Sequence, residues 1–331
     1  MAKNSRNATL DILKLIASYF VVFIHVRFYG TAGDIVAALA RFAVPVFFMT
    51  SGYFCYGSDL TTIRKRIIKI TKILLFASIL YNALNIFSEF VSDGYAGVTE
   101  YFSIFLNIKS IFELVVFNSP FSATRLWFLF ALIYVYVMQW IFVRFKVGDK
   151  VIFTASLVFL VLCLILGEGL KLFDIELPEH YVRNFLLTGF PFFGFGLFYK
   201  KYSERVRDIS AVIYWAVFFF GVILTLLEFR VVGDITLHHG AVLMTLSLFG
   251  LSLYNGDKSY PAWLVKLSEC SLGIYIFHKP VTIVMNVVLK FLGFVEGEML
   301  FTNLLTLTVC VVTTMVSLVF YKVISIRKKT T

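Results

Sequence analysis

The stretch LDILKLIASYFVVFIH, residues 10–25, is apolar enough to cross a membrane, yet it carries Asp11, Lys14, Ser18 and His25. On a helix turning about 100° per residue, Lys14 and His25 stand within about 20° of one another and about 16 Å apart along the axis, and Asp11 and Ser18 fall in the same arc, about 60° wide. A charge near the bilayer centre costs at least ~2.5 kcal/mol, so this polar stripe is expected to line the protein interior or a water-filled path. His25 can accept and return a proton near neutral pH, the work of a general base that deprotonates an alcohol for attack on an activated acyl group. Lys14, nearer the amino end, suits an anionic handle such as a phosphate or carboxylate. A structural alternative also fits the spacing: Asp11 and Lys14 pair near one surface while Lys14 snorkels, and His25 reaches the opposite interface.

The elements that must hold these residues follow from composition. Of 331 residues, 60% are hydrophobic and 15% charged, with a mean hydropathy of +0.87, which leaves too little polar surface to cover a soluble globule. A helix needs about 20 apolar residues to span the hydrocarbon. Ten such runs are read, at 8–29, 36–56, 67–88, 124–143, 151–167, 183–199, 209–227, 236–254, 268–290 and 300–322. Continuously apolar runs such as VIFTASLVFLVLCLILG lack the alternation of a lipid-facing β-barrel, so the fold class is all-α, a polytopic bundle of about ten transmembrane helices. Lys3 and Arg6 ahead of the first run resemble a signal peptide, but Asp11 and Lys14 interrupt it and no small-x-small site follows, so it is read as the first span. No linker divides the chain, and residues 1–331 are read as a single membrane domain.

The net charge of +10 is spread along the chain and is not a nucleic-acid patch. Most of the Lys and Arg fall in alternate connections, including Arg64, Lys65, Arg66, Lys69 and Lys72, and Lys200, Lys201, Arg205 and Arg207. The positive-inside rule then puts both termini in the cytoplasm and the protein in the cell (inner or plasma) membrane. Cys55, Cys163, Cys270 and Cys310 are scattered without metal-ligand spacing and read as packing residues. No metal site is expected, and His238–His239 alone does not make one. The segment YFSIFLNIKSIFELVVF (101–117), in the long outer connection 89–123, reads as an interfacial or re-entrant helix. Pro45, Pro191 and Pro280 fall inside spans and are expected to bend them; Arg41 beside Pro45, and His278 with Lys279 beside Pro280, point to a polar cavity near mid-membrane or toward its outer half.

LDILKLIASYFVVFIH, a basic residue followed by ten positions and then His, resembles the first helix of the membrane-bound acyltransferase 3 family. RFAVPVFFMTSGYF (41–54), LWFLFALIYV (126–135) and LSECSLGIYIFHKPV (267–281) fit further blocks of that family in order. The resemblance implies transfer of an acyl group, usually acetyl from cytoplasmic acetyl-CoA as co-substrate with no tightly bound cofactor, to a hydroxyl of a cell-surface glycan or its lipid-linked precursor. It matches His25 to the essential histidine, Lys14 to the basic residue on the donor side, Arg41 and Ser51–Gly52 to the second block, and His278 to the late block. Lys14 replaces the commoner Arg, and Arg125 stands where many members carry His. Succinyl or another acyl donor fits equally. Ser51 raises a covalent acyl-serine relay, against which direct transfer with His25 as base is preferred. The competing class is a small-molecule transporter or glycan exporter, since kinked helices with intramembrane charges also line substrate paths.

Overall fold

The computed structural model describes residues 7–105, 107–119, 124–256 and 258–330, and among them the chain is helical with no strand. Among the described residues, eight helical stretches are long and apolar enough to cross a membrane: Ala8–His25, Gly30–Cys55, Leu60–Val91, Thr124–Arg144, Asp149–Gly169, Ala211–Val232, Ser271–Phe291 and Met299–Lys322. The runs read at 183–199 and 236–254 are also helical but shorter. The first is a π-helical turn, Phe185–Gly189, continued by an α-helix over Phe190–Lys201; the second is the helix His239–Tyr254, of 16 residues. Sixteen residues rise about 24 Å, several ångström short of the hydrocarbon thickness. The protein is an all-α polytopic membrane protein.

The chain forms two compact units, one running up to Thr50 and again from Tyr199 onward, the other Ser51–Phe198. The first unit holds α1 (Ala8–His25), α2 (Gly30–Leu39), most of α3 (Ala43–Cys55), and, later in the chain, the short α10 (Ser203–Asp208), α11 (Ala211–Val232), α12 (His239–Tyr254), the short α13 (Ala262–Ser268), α14 (Ser271–Phe291) and α15 (Met299–Thr330). Asn7 caps α1 by accepting from the Leu10 amide at 3.0 Å, worth about 1 kcal/mol. α1 packs on α14 and α15, where the Tyr19 and Thr314 hydroxyls meet at 2.7 Å. α11 and α12 cross with their backbones nearly touching: a Cβ on Gly221 would stand 2.8 Å from the Gly240 carbonyl oxygen, and one on Gly250 would fall on the Tyr214 ring. Without a hydrophobic drive between helices in lipid, such small-residue contacts supply the dispersion that joins them.

The second unit contains α4 (Leu60–Phe105), α5 (Ile108–Phe117), α6 (Trp127–Arg144), α7 (Asp149–Leu164), the single turn α8 (Glu179–Val182) and most of α9 (Phe190–Lys201). α4 is broken at Gly94, whose φ of 62° and ψ of −143° no L-residue adopts without strain. Beyond it the chain doubles back: Gly97 approaches the Glu89 carbonyl, and Tyr101 donates to Asn82. Residues 101–105 are thus the return arm of a helical hairpin. α5 has no buried residue, and Ile108, Phe112 and Val115 are exposed, as an interfacial helix requires. Asn118 ends it in the left-handed region; its side chain accepts from the Phe185 amide at 2.7 Å. Residues 106 and 120–123 of this connection lie outside the described residues.

The three prolines act differently from the expected bends. The break between α2 and α3 is a 3-10 turn at Ala40–Phe42, and Pro45 follows in the first turn of α3, where its missing N–H costs no helical bond. Pro191 comes second in α9, directly after the π turn that absorbs the irregularity. Only Pro280 lies well inside a continuous helix, α14.

Candidate active site

The stripe on α1 is built as the periodicity predicts, but its members do different things. Asp11 is buried, and its carboxylate meets the Lys14 ammonium at 2.6 Å, so the structural pairing exists. One of the three ammonium protons faces Asp11, which leaves two for another acceptor. Ser18 is wholly buried and donates to the Leu15 carbonyl of its own helix at 2.7 Å; its hydroxyl is accounted for by the backbone.

His25, the last residue of α1, lies flat against His278 of α14, with ring centroids 5.2 Å apart and planes 14° from parallel. His278 is fully buried. Its Nδ1 stands 2.6 Å from the Tyr275 carbonyl oxygen, which can only accept. Nδ1 therefore carries the proton, and that tautomer is fixed. The two histidines, 253 positions apart in sequence, thus share one place in the first unit, with the His25 ring held in one plane by its neighbour.

A second constellation surrounds the end of α1. Arg27 donates to Asp34 of α2 at 3.1 Å and to Asp234, in the connection between α11 and α12. Arg41, in the 3-10 turn, donates to the other oxygen of Asp234 at 2.5 Å. The Arg27 carbonyl also accepts from Thr306 of α15 at 3.0 Å. Arg27, two residues after His25, is therefore tied to α2, to the connection between α11 and α12 and to α15, and through Asp234 to the 3-10 turn. Burial works against the Asp234 carboxylate, but the guanidiniums of Arg41 and Arg27 outweigh it and hold its carboxyl below the usual carboxylate range. A carboxyl lowered on folding contributes stability that is full above its unfolded value and is lost as pH falls through the lowered one. Purified wild-type protein is accordingly expected to lose thermal stability on acidification from pH 6 to pH 3.5 by more than Asp234→Asn does, as read by fluorescence-detected melting; equal losses would deny the clamp a role in stability.

Ser51 and Arg125 belong to the second unit. The buried Tyr136 interacts through its hydroxyl with Ser51 and with Arg66, and Arg66 donates to the Phe54 carbonyl at 2.5 Å at the carboxyl end of α3. Arg125 stands in the 3-10 turn Thr124–Leu126 ahead of α6, in electrostatic contact with the buried Tyr81. Near α12, Glu228 lies 3.3 Å from His239 Nδ1 and 3.9 Å from His238 Nδ1, and accepts from the Gly240 amide at 3.1 Å, a carboxylate at a helix amino end.

Sequence reasoning passed over Asp234, Arg27 as a partner, and Glu168, which is buried in the π turn Ile165–Gly169. A carboxylate in a connection only a few residues long between two apolar runs was the available signal for Asp234. The chain matches the model of acyltransferase family 3, described as an acyltransferase domain, over residues 7–322. Neither a curated protein nor a solved structure matches it.

Proposed function

We propose that this chain, which belongs to acyltransferase family 3, carries an acyl group, in the first place acetyl, from cytoplasmic acyl-CoA to a hydroxyl of a cell-surface glycan or its lipid-linked precursor, with His25 as general base. The observation that carries this reading is the His25–His278 pair at the end of the first span. A general base works from a ring held in one orientation. His278 supplies the flat face for His25, and its own Nδ1 is committed to Tyr275.

In the proposed reaction His25 takes the proton of the acceptor hydroxyl as that oxygen attacks the thioester carbonyl. The C–O bond forms, the C–S bond breaks, and His25 returns the proton to the departing CoA sulfur. Lys14, about 16 Å toward the amino end of the same helix, holds an anionic group of the donor through the ammonium protons that Asp11 leaves over. With the basic connections inside, the donor enters from the cytoplasm and the acceptor is met in the outer half of the membrane of the cell. Membership of an acyltransferase family disfavours the transporter reading. Radiolabelled acetyl-CoA added to the purified protein with membrane glycolipids separates the two: label on the glycan supports the enzyme, and glycan translocation with no label supports the transporter.

Lys14→Arg is expected to retain function, and Lys14→Ala to raise the KM for acetyl-CoA roughly tenfold, the worth of one charge-assisted hydrogen bond. Because Lys14→Ala also leaves Asp11 buried without its counter-charge, Asp11→Asn/Lys14→Ala is the companion variant. A KM effect that disappears in the double variant assigns Lys14 to structure. A rise in acceptor KM with donor KM unchanged reverses the two ends of the path.

A further inference from the structure

Arg41 is largely enclosed, with 12% of its side chain exposed, and it uses its guanidinium sparingly. The planar group offers five N–H donors in fixed directions. Nη2 goes to Asp234, while Nε is buried and meets no acceptor among the described residues. Leaving a buried donor unmet is costly, the more so when it is charged, so such a group in a native fold calls for an acceptor. The same Asp234 also binds Arg27, two residues beyond His25, which ties the Arg41 guanidinium through Asp234 to the segment that follows α1. The charge balance says what kind of acceptor fits. In the ion pairs described, Arg27 and Arg41 are matched by Asp34 and Asp234, so these four groups balance and offer little to a permanent anion such as a phosphate. A directed N–H in a neutral, enclosed setting suits negative charge that develops only during reaction.

We propose that Arg41, oriented by Asp234, donates its Nε–H to the acyl carbonyl oxygen as the tetrahedral intermediate forms. This rests on the acyl-transfer reading above. When the acceptor oxygen bonds to the carbonyl carbon, the carbonyl π pair moves onto oxygen, and Arg41 stabilises it there; when that pair returns, the C–S bond breaks and the sulfur takes the proton from His25. Arg41 stays protonated throughout. Asp234 is a positioning residue, and Arg41 a catalytic one.

The test uses the full chain in membranes of a host that carries the native acceptor, normalised to folded protein by immunoblot and gel filtration, with labelled acetyl-CoA and fluoroacetyl-CoA as donors. Arg41→Gln is expected to lower the maximal rate with acetyl-CoA about 100-fold, with donor KM within about threefold, the loss seen when one oxyanion donor is removed. Fluorine withdraws electrons and stabilises the oxyanion itself, so with fluoroacetyl-CoA the deficit is expected to shrink to about tenfold. Arg41→Lys, a point charge without the planar fork, should fall between, and it serves in place of Arg41→Gln if the latter does not accumulate. Equal deficits with both donors, or a raised donor KM with an unchanged maximal rate, overturn the assignment. An active wild type with an equally active Arg41→Gln overturns it alone, whereas a wild type that transfers no label brings down the acyl-transfer reading and this assignment together.

Discussion

His25→Ala is expected to lower acyl transfer about 10³-fold or more while the protein still inserts and folds in wild-type amounts. General acid–base catalysis by one positioned side chain contributes about 10²–10⁴-fold, and here the same group both removes the acceptor proton and returns it to sulfur. The substitution deletes a ring at the very end of α1, beyond the buried contacts of Leu10, Leu13, Leu15, Ala17, Val21 and Val22 that anchor the helix. Insertion therefore rests on residues the variant leaves alone. His25→Gln should be as inactive as His25→Ala: glutamine fills the volume against His278 and can donate and accept hydrogen bonds, but it cannot hold a proton. Transfer of labelled acetate in membranes, per unit of folded protein, is the measurement. More than a tenth of wild-type turnover in either variant would remove His25 from the role of base, and the stacked pair would then be a packing contact between α1 and α14.

How much of this was legible in the sequence depends on how far apart in the chain the interacting groups lie. The spans were readable because lipid imposes a local rule, a minimum apolar length, and each span satisfies or narrowly misses it within its own residues. The Asp11–Lys14 pair was readable because three residues on a helix are neighbours by construction. Ser18 was placed on the right face, but the bond of its hydroxyl to Leu15 depends on a rotamer that spacing does not fix. The Asp234 clamp was not readable at all: it joins residues 193 and 207 positions apart, and nothing in either neighbourhood names the other. The π turns at Ile165–Gly169 and Phe185–Gly189 escaped for a related reason, since a lengthened hydrogen-bond ring is chosen by packing and leaves no period in the sequence. Its place beside Pro280, and then the family resemblance, brought His278 to attention, but only the folded chain shows its ring against His25 and its Nδ1 on Tyr275.

Ser51 and Gly52 adjoin in the sequence and are expected to respond in opposite ways. Gly52→Val should abolish the accumulation of folded protein, because a Cβ at Gly52 falls on the carbonyl oxygen of Phe193, a backbone atom of α9 that no side-chain rotation can move. The neighbouring Phe192 and Phe193 are among the most buried residues of the chain, so α9 has no space into which to retreat. Separating the two backbones by the width of a methyl group forfeits the close dispersion contacts that hold helices together in lipid, and valine adds two further methyls to the clash. Ser51→Ala removes the interaction of its hydroxyl with Tyr136, which keeps Arg66 as a partner, so folded yield and acyl transfer should stay within about threefold of wild type, the worth of less than one neutral hydrogen bond. Gel filtration of detergent extracts reads the first outcome and labelled acetyl transfer the second. A well-folded Gly52→Val would mean that α3 and α9 are free to part. A Ser51→Ala variant that folds but no longer transfers would put a covalent acyl-serine back into the mechanism.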